Sequence, residues 1–322
     1  MNLQPAFERA AKELEAANTI GIVCHVGPDG DAIGSALGLA VAAEAAGKSV
    51  VVSFGEPFVI PQQFSFLPLD LLVKPGDFPE GLDVVVSCDA AVADRLGSLA
   101  PKAASADTLI VIDHHASNVG FGDVEIIDPQ AAATAQLVAM LLRHVDWAIT
   151  KEVATCLYTG LVTDTGRFQY SNTKSEVLHL AADLLATGVQ PELIGQRVYE
   201  EVPFGYLSVA AAVMNRATLD PSLGLISSIL YQSDLEAAGL SYEEADGLID
   251  LIRVAKEAGI ACLLREVDAG TKGSLRSRGA VDVGAIASLL GGGGHHNAAG
   301  FMIPKPPDDA LGDVADAVRR LS

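Results

Sequence analysis

The chain has 322 residues, half of them hydrophobic, and a formal net charge of −20. This length predicts two domains or one large one, with ample apolar mass for a core. The charge argues against long contact with duplex DNA or an anionic membrane, which needs a basic face, but leaves room for a small anionic substrate in a local cationic pocket. No apolar run reaches the ~18 residues needed to span a bilayer. The start lacks a basic-then-apolar leader pattern, and Cys24, Cys88, Cys156 and Cys262 form no Cys-x-x-Cys pair. These features predict a cytoplasmic protein with reduced core cysteines.

In chain order, Gln4–Ala17 has helical periodicity. Thr19–Cys24 reads as a buried strand that runs into a Gly/Pro turn, His25–Asp31. Ala32–Ala46 reads as a helix and Ser49–Phe54 as a second strand. The proline-rich stretch Gly55–Gly81 predicts an irregular crossing with short helical turns. Asp83–Asp89 and Leu109–Ile112 are further strands. Ala132–Val145, Lys151–Val162 and Thr173–Thr187 are helices. Alternating strands and helices predict an α/β domain with a doubly wound, largely parallel sheet over residues 1–188, helices on both faces.

Residues 189–206 carry Pro191 and Pro203 and are expected to connect the domains. Residues 207–322 read as a smaller α+β domain, with a cleft expected between the two. Its expected elements are strand Leu223–Tyr231, helix Tyr242–Ala258, a hairpin of Ile260–Val267 and Gly273–Ser277 around Asp268–Lys272, helix Val283–Leu290, a glycine loop through Gly300, and a final helix Asp308–Leu321.

Polar residues recur at the ends of the apolar elements. His25, Asp29 and Asp31 share one turn, Asp89 ends a strand, Asp113-His114-His115 ends the next, and Asp164 lies in Thr-Asp-Thr-Gly after a helix. Each has an ordinary structural reading alone: Asp31 as a helix N-cap, the others as turn or strand-end residues. Together they differ, because strand carboxyl ends lie side by side in such a sheet. Four ionised carboxylates ~5 Å apart would repel by about 3 kcal/mol per pair at an effective dielectric of ~20. Two divalent cations would balance them. Carboxylate and imidazole donors without thiolate favour manganese, with magnesium or cobalt as substitutes. Two such ions can clamp the attacking and leaving oxygens of a displacement at phosphorus. In the second domain, Gly291–Gly294 with His295, together with Arg276-Ser277-Arg278, predicts a phosphate clamp.

These motifs resemble the DHH family of phosphoesterases: Asp113-His114-His115, His25-x-x-Pro28-Asp29-Gly30-Asp31, Cys88-Asp89 followed by Asp94-Arg95-Leu96-Gly97, and Thr163-Asp164-Thr165-Gly166. Gly292-Gly-Gly-His295-x-x-Ala-Ala-Gly300 is similar to the associated DHHA1-type domain. The two-domain length resembles the nanoRNase and pAp-phosphatase group. The resemblance implies that His25 and Asp29 hold one Mn2+, that Asp31, His114 and Asp164 hold the other, and that Asp89 bridges them. It implies that His115 contacts the scissile phosphate and that Asp113 orients a neighbouring histidine. Arg95, Asn118, Arg276, Ser277, Gly293, Gly294 and His295 are implied substrate contacts. The expected activity is hydrolysis of short oligonucleotides such as pApA, and of 3′-phosphoadenosine 5′-phosphate (pAp). The alternatives are a cyclic-dinucleotide phosphodiesterase, a pyrophosphatase, or a non-catalytic nucleotide sensor. Expected partners are short single-stranded oligonucleotides or nucleotides, with a homodimer also allowed.

Overall fold

The computed structural model describes residues 3–245, 247–279 and 281–321. They form two compact units, divided between Glu201 and Val202.

The first unit opens with α1 (Gln4–Ala16), β1 (Thr19–Cys24), α2 (Gly30–Ala45) and β2 (Ser49–Phe54). It continues with β3 (Val84–Cys88), the single turn α3 (Ala100–Ala103), β4 (Thr108–Asp113) and β5 (Val124–Ile127). Helices α4 (Thr134–His144), α5 (Lys151–Asp164) and α6 (Ser175–Ala186) follow. All strand pairings are parallel, in the order β2-β1-β3-β4-β5. The sequence direction of strand addition reverses between β1 and β3, and ligands of open α/β sheets bind at the carboxyl ends flanking such a point. Cys24 and Cys88 are register partners there, so His25 and Asp89 leave the sheet side by side.

Alternate strand residues define the two faces. Ile20, Ile22, Val84, Val86, Ile110 and Ile112 pack with α1, α2 and α4. Val23, Val85, Leu109 and Val111 pack with Phe78, Leu82, Leu96 and Leu99. This second face is covered by short 3-10 turns and α3 rather than by the full helices expected. Proline at 57, 61, 68, 75 and 79 prevents a long helix there. Strand β5 has no clear sequence signature, since four residues with an exposed Glu125 give too little pattern.

Residues 189–206, the expected connection, are mostly helical. They contain α7 (Pro191–Gly195), a π-helical turn (Gln196–Glu200) and the start of α8 (Phe204–Arg216). Pro203 sits at the N-cap of α8, where proline costs no helical hydrogen bond.

The second unit continues with β6 (Thr218–Asp220), β7 (Leu225–Leu230), α9 (Gln232–Ala238) and α10 (Leu248–Ile252). Then come β8 (Ile260–Val267), β9 (Gly270–Ser277), α11 (Val283–Leu289), β10 (Gly293–His295), β11 (Ala298–Ile303) and α12 (Pro307–Leu321). Its sheet runs β10-β11-β9-β8-β7-β6; β7 and β8 are parallel and the other neighbours antiparallel. The helix expected over Tyr242–Ala258 is only α10, preceded by a 3-10 turn at Glu243–Ala245, because Gly247 adopts φ 76° and breaks the run. The β8–β9 hairpin turns at Asp268-Ala269, tighter than the five-residue loop expected. Among the described residues, no helix is long and apolar enough to cross a membrane.

Candidate metal centre

Each strand end delivers its polar residues to one place. Asp29 caps α2, and its Oδ1 accepts from the N–H groups of Asp31 and Ala32 at 3.0 Å. Asp29 is therefore the cap, and Asp31 lies in the first helical turn rather than at the cap. Asp29 Oδ2 stands 3.8 Å from His25 Nε2. The Nδ1 of His25 lies 3.1 Å from the Val26 carbonyl, so Nε2 faces Asp29 and, at 3.6 Å, Asp89 Oδ2. His114 repeats the pattern. Its Nδ1 lies 3.3 Å from the Ala131 carbonyl, and its Nε2 is 3.6 Å from Asp89 Oδ1, 3.8 Å from Asp31 Oδ2 and 3.3 Å from Asp164 Oδ2. An imidazole anchored through one nitrogen to a carbonyl presents the other as a ligand.

Three donor groups result: His25, Asp29 and Asp89; Asp31, His114 and Asp164; and Asp89, His114 and His115. Within each, the ligand atoms lie within 4.8 Å of one another. Asp89 belongs to two of these, with one oxygen towards each of His25 and His114. It holds φ 59°, an uncommon left-handed backbone for a residue other than glycine, while its N–H donates to the Ile112 carbonyl.

The donor chemistry fits divalent cations. Burial lowers the basicity of His25 and His114, but the surrounding carboxylates outweigh it and hold both at about 9. Burial and the charge of Asp89 push Asp31 up to about 7. Burial, then the neighbouring aspartates, also raise Asp164 despite the opposing His114. Raised carboxyl groups of this kind favour the protonated form, and a neighbouring cation reverses that preference.

Two family profiles match the chain: the DHH family, N-terminal domain, over residues 19–161, and the DHHA1 domain over residues 226–321. A Thermus thermophilus protein named bifunctional oligoribonuclease and PAP phosphatase NrnA is 35% identical over 309 residues, covering 93% of this chain and 89% of its own. The chain belongs to the DHH family. A Bacillus subtilis relative of the same name is 27% identical, over 89% of this chain and 90% of its own. A Bacteroides fragilis crystal structure described as an exopolyphosphatase-related protein superposes with a TM-score of 0.91 at 28% identity, covering 98% of this chain and 96% of that one.

The third residue of the family's Asp-His-His is fixed by the first. His115 Nδ1 lies 2.7 Å from Asp113 Oδ1, and Asn118 Nδ2 donates to Asp113 Oδ2 at 2.7 Å. Asn118 also donates to the Ala90 carbonyl and accepts from the Gly120 N–H. Its amide thus bonds both the Asp113 carboxylate and the neighbouring backbone. Arg95 is exposed, with Nη2 3.3 Å from His25 Nδ1.

Sequence reasoning missed Thr134. Its hydroxyl donates to Asp89 Oδ1 at 2.8 Å, and its N–H donates to Asp31 Oδ2 at 2.6 Å. Ala135 N–H and Ser35 Oγ donate to Asp31 Oδ1 at 2.9 and 3.1 Å. The amino end of α4 therefore holds a buried carboxylate, a favourable use of free N–H groups. Ala-Ala-Ala-Thr134 carried no motif that could have announced this.

In the second unit the expected contacts lie on β9 and on the β10–β11 hairpin. Arg276 and Ser277 are consecutive on β9 and so project to opposite faces. Arg276 is half-buried on the wet face. Ser277 is buried, its hydroxyl donating to Asn297 Oδ1 and the His296 carbonyl. The glycine run is the β10–β11 hairpin rather than an open loop. A Cβ on Gly292 would lie 2.1 Å from the Gly300 carbonyl, and one on Gly294 2.6 Å from that of Ala298. Strand packing thus explains those glycines, whereas Gly293 opens to solvent with nothing within 4 Å. The side chain of His295 lies outside the described residues.

Proposed function

We propose that this chain is a manganese-dependent phosphohydrolase that degrades short oligonucleotides, such as pApA, to mononucleotides and removes the 3′-phosphate of pAp. The observation that carries this reading is the shared carboxylate: Asp89 faces His25 with one oxygen and His114 with the other. The names of the Thermus and Bacillus relatives support the substrate class.

In this reading His25, Asp29 and Asp89 hold one cation, and Asp31, His114, Asp164 and Asp89 hold the second. When bound, the cations supply Lewis-acid activation of water and charge neutralisation at the phosphoryl oxygens. His115 is the substrate-facing group. Asp113 accepts its Nδ1 proton, which leaves Nε2 to meet the phosphate, and Asn118 keeps Asp113 from rotating. Burial lowers the basicity of His115, but the bond to Asp113 and the charge of Asp89 raise it overall, favouring the protonated form as a donor to phosphate. Arg95 beside His25 and Arg276 on the second unit are the proposed guanidinium contacts to substrate phosphate. Gly293 offers bare backbone.

The test is turnover of pApA, pAp, pyrophosphate and a cyclic dinucleotide by one preparation in Mn2+, with His114→Ala as control. Hydrolysis of pApA and pAp, lost in the variant, is expected. Pyrophosphate or the cyclic dinucleotide as the best substrate would replace this reading with that alternative. Tight nucleotide binding without product would make the protein a sensor.

A further inference from the structure

Helix α5 ends on Asp164, and the chain then folds back on itself. Gly166, Arg167 and Phe168 hold φ 55°, 63° and 61° in succession, a left-handed turn uncommon outside glycine. It is closed from several sides. The Arg167 N–H donates to the Val162 carbonyl at 2.8 Å, and the Gln169 and Tyr170 N–H groups donate to the Thr165 carbonyl at 3.0 Å. A Cβ on Gly166 would lie 2.3 Å from the Tyr170 ring, so glycine lets that ring close over the turn. Backbone strain held in place by so many contacts clusters at functional sites. Here its result is to return Asn172 to the end of α5.

Asn172 uses its amide donors there. Its Nδ2 donates to the Asp164 carbonyl and to the Ala132 carbonyl, each at 3.1 Å. Ala132 sits between the Ala131 carbonyl, which lies 3.3 Å from His114 Nδ1, and the Thr134 N–H, which donates to Asp31 Oδ2. The Ala132 N–H is held in turn by Gln136 Oε1 at 2.8 Å. Asn172 therefore joins the backbone carrying Asp164 to the segment that anchors His114 and Asp31. Those three residues are one donor group, and His114 Nε2 and Asp164 Oδ2 stand 3.3 Å apart within it. Asn172 Oδ1 is buried and accepts no hydrogen bond among the described residues, so the side chain engages its surroundings through its donors.

We infer that Asn172 is a positioning residue that sets the spacing of Asp31, His114 and Asp164 and leaves the group of His25 and Asp29 alone. Neither of its bonds reaches that first group. The inference rests on the two-cation reading above and adds a selectivity to it: losing the amide weakens one cation site, not both.

Asn172→Leu keeps the approximate shape and removes the donors; Asn172→Ala serves in its place should the leucine variant lack the parent's circular dichroism. Thr173→Val is the control, because Thr173 Oγ1 is buried next door and makes no hydrogen bond among the described residues. Titration of chelator-stripped full-length protein with MnCl2 should show one binding step ~10- to 100-fold weaker in Asn172→Leu and the other within about threefold of the parent. Electron paramagnetic resonance at two equivalents of Mn2+ should show a coupled pair in the parent and Thr173→Val, and the sharp lines of isolated ions in Asn172→Leu. Parent-like binding in the folded variant, equal weakening of both steps, or the same loss in Thr173→Val overturns the inference. A parent that takes up fewer than two Mn2+ removes the two-cation reading instead. Crystals of the metal-free proteins then still decide the role of Asn172. The separation of His114 Nε2 and Asp164 Oδ2 should widen by ~1 Å in Asn172→Leu, and an unchanged separation overturns it.

Discussion

Replacing Thr134 by valine removes one hydroxyl and little else. The side chain is fully buried, valine matches its shape, and the backbone N–H that serves Asp31 remains. The lost interaction is the 2.8 Å bond to Asp89 Oδ1, the oxygen that faces His114. A hydrogen bond to a charged group contributes ~1.5–3 kcal/mol. At ~1.4 kcal/mol per factor of ten, this corresponds to a ~10- to 100-fold loss of Mn2+ affinity, the range seen when partners of metal ligands are removed. Isothermal titration of chelator-stripped protein with MnCl2 measures it, with Thr134→Ser, which keeps the hydroxyl, expected within about threefold of the parent. Circular dichroism checks that both variants fold. If folded Thr134→Val binds Mn2+ within twofold of the parent, Thr134 does not position Asp89.

Asp89→Asn keeps a side chain that tolerates the left-handed backbone at φ 59°, so its melting temperature should match the parent while turnover disappears; substantial residual turnover would remove Asp89 from the centre. The metal-free protein should lose stability as pH rises from about 4 to 9. His25 and His114 fold at about 9 against an ordinary 6.5, stability that is present below 6.5 and lost through 9. Asp31 folds at about 7 against 3.8, a penalty that grows over that interval. Melting temperatures in chelator from pH 5 to 9 should therefore fall, and Mn2+ should flatten the decline; a flat or rising chelator series contradicts the assignment. Gly34→Ala would set a Cβ 2.5 Å from the Cys156 carbonyl, where α2 crosses α5, and should destabilise by about 1–3 kcal/mol in denaturant titration. Because α2 carries Asp31 and α5 carries Asp164, weaker Mn2+ binding should accompany it.

Much of this protein was legible in the chain itself. Strands Thr19–Cys24 and Ser49–Phe54 matched residue for residue, because buried parallel strands are continuous apolar runs with turn residues at their ends. The motif residues were legible as a group, because only convergence gives four aspartates a common reason. Elements marked by conflicting signals were not: Pro203 hid α8, and Gly247 broke a run that otherwise reads as a helix.

The sequence by itself determined the α/β class and the set of groups able to bind cations, since strand patterning and donor chemistry are local properties. Only the tertiary structure decided that Asp29 rather than Asp31 caps α2, that Thr134 reaches Asp89 and Asp31, and that Asn118 braces Asp113. It likewise decided that Arg276 and Ser277 face opposite ways. Partners such as Thr134 and Asp31, 103 residues apart, meet through sheet order and helix packing, and the face a strand residue takes depends on which side the helices cover.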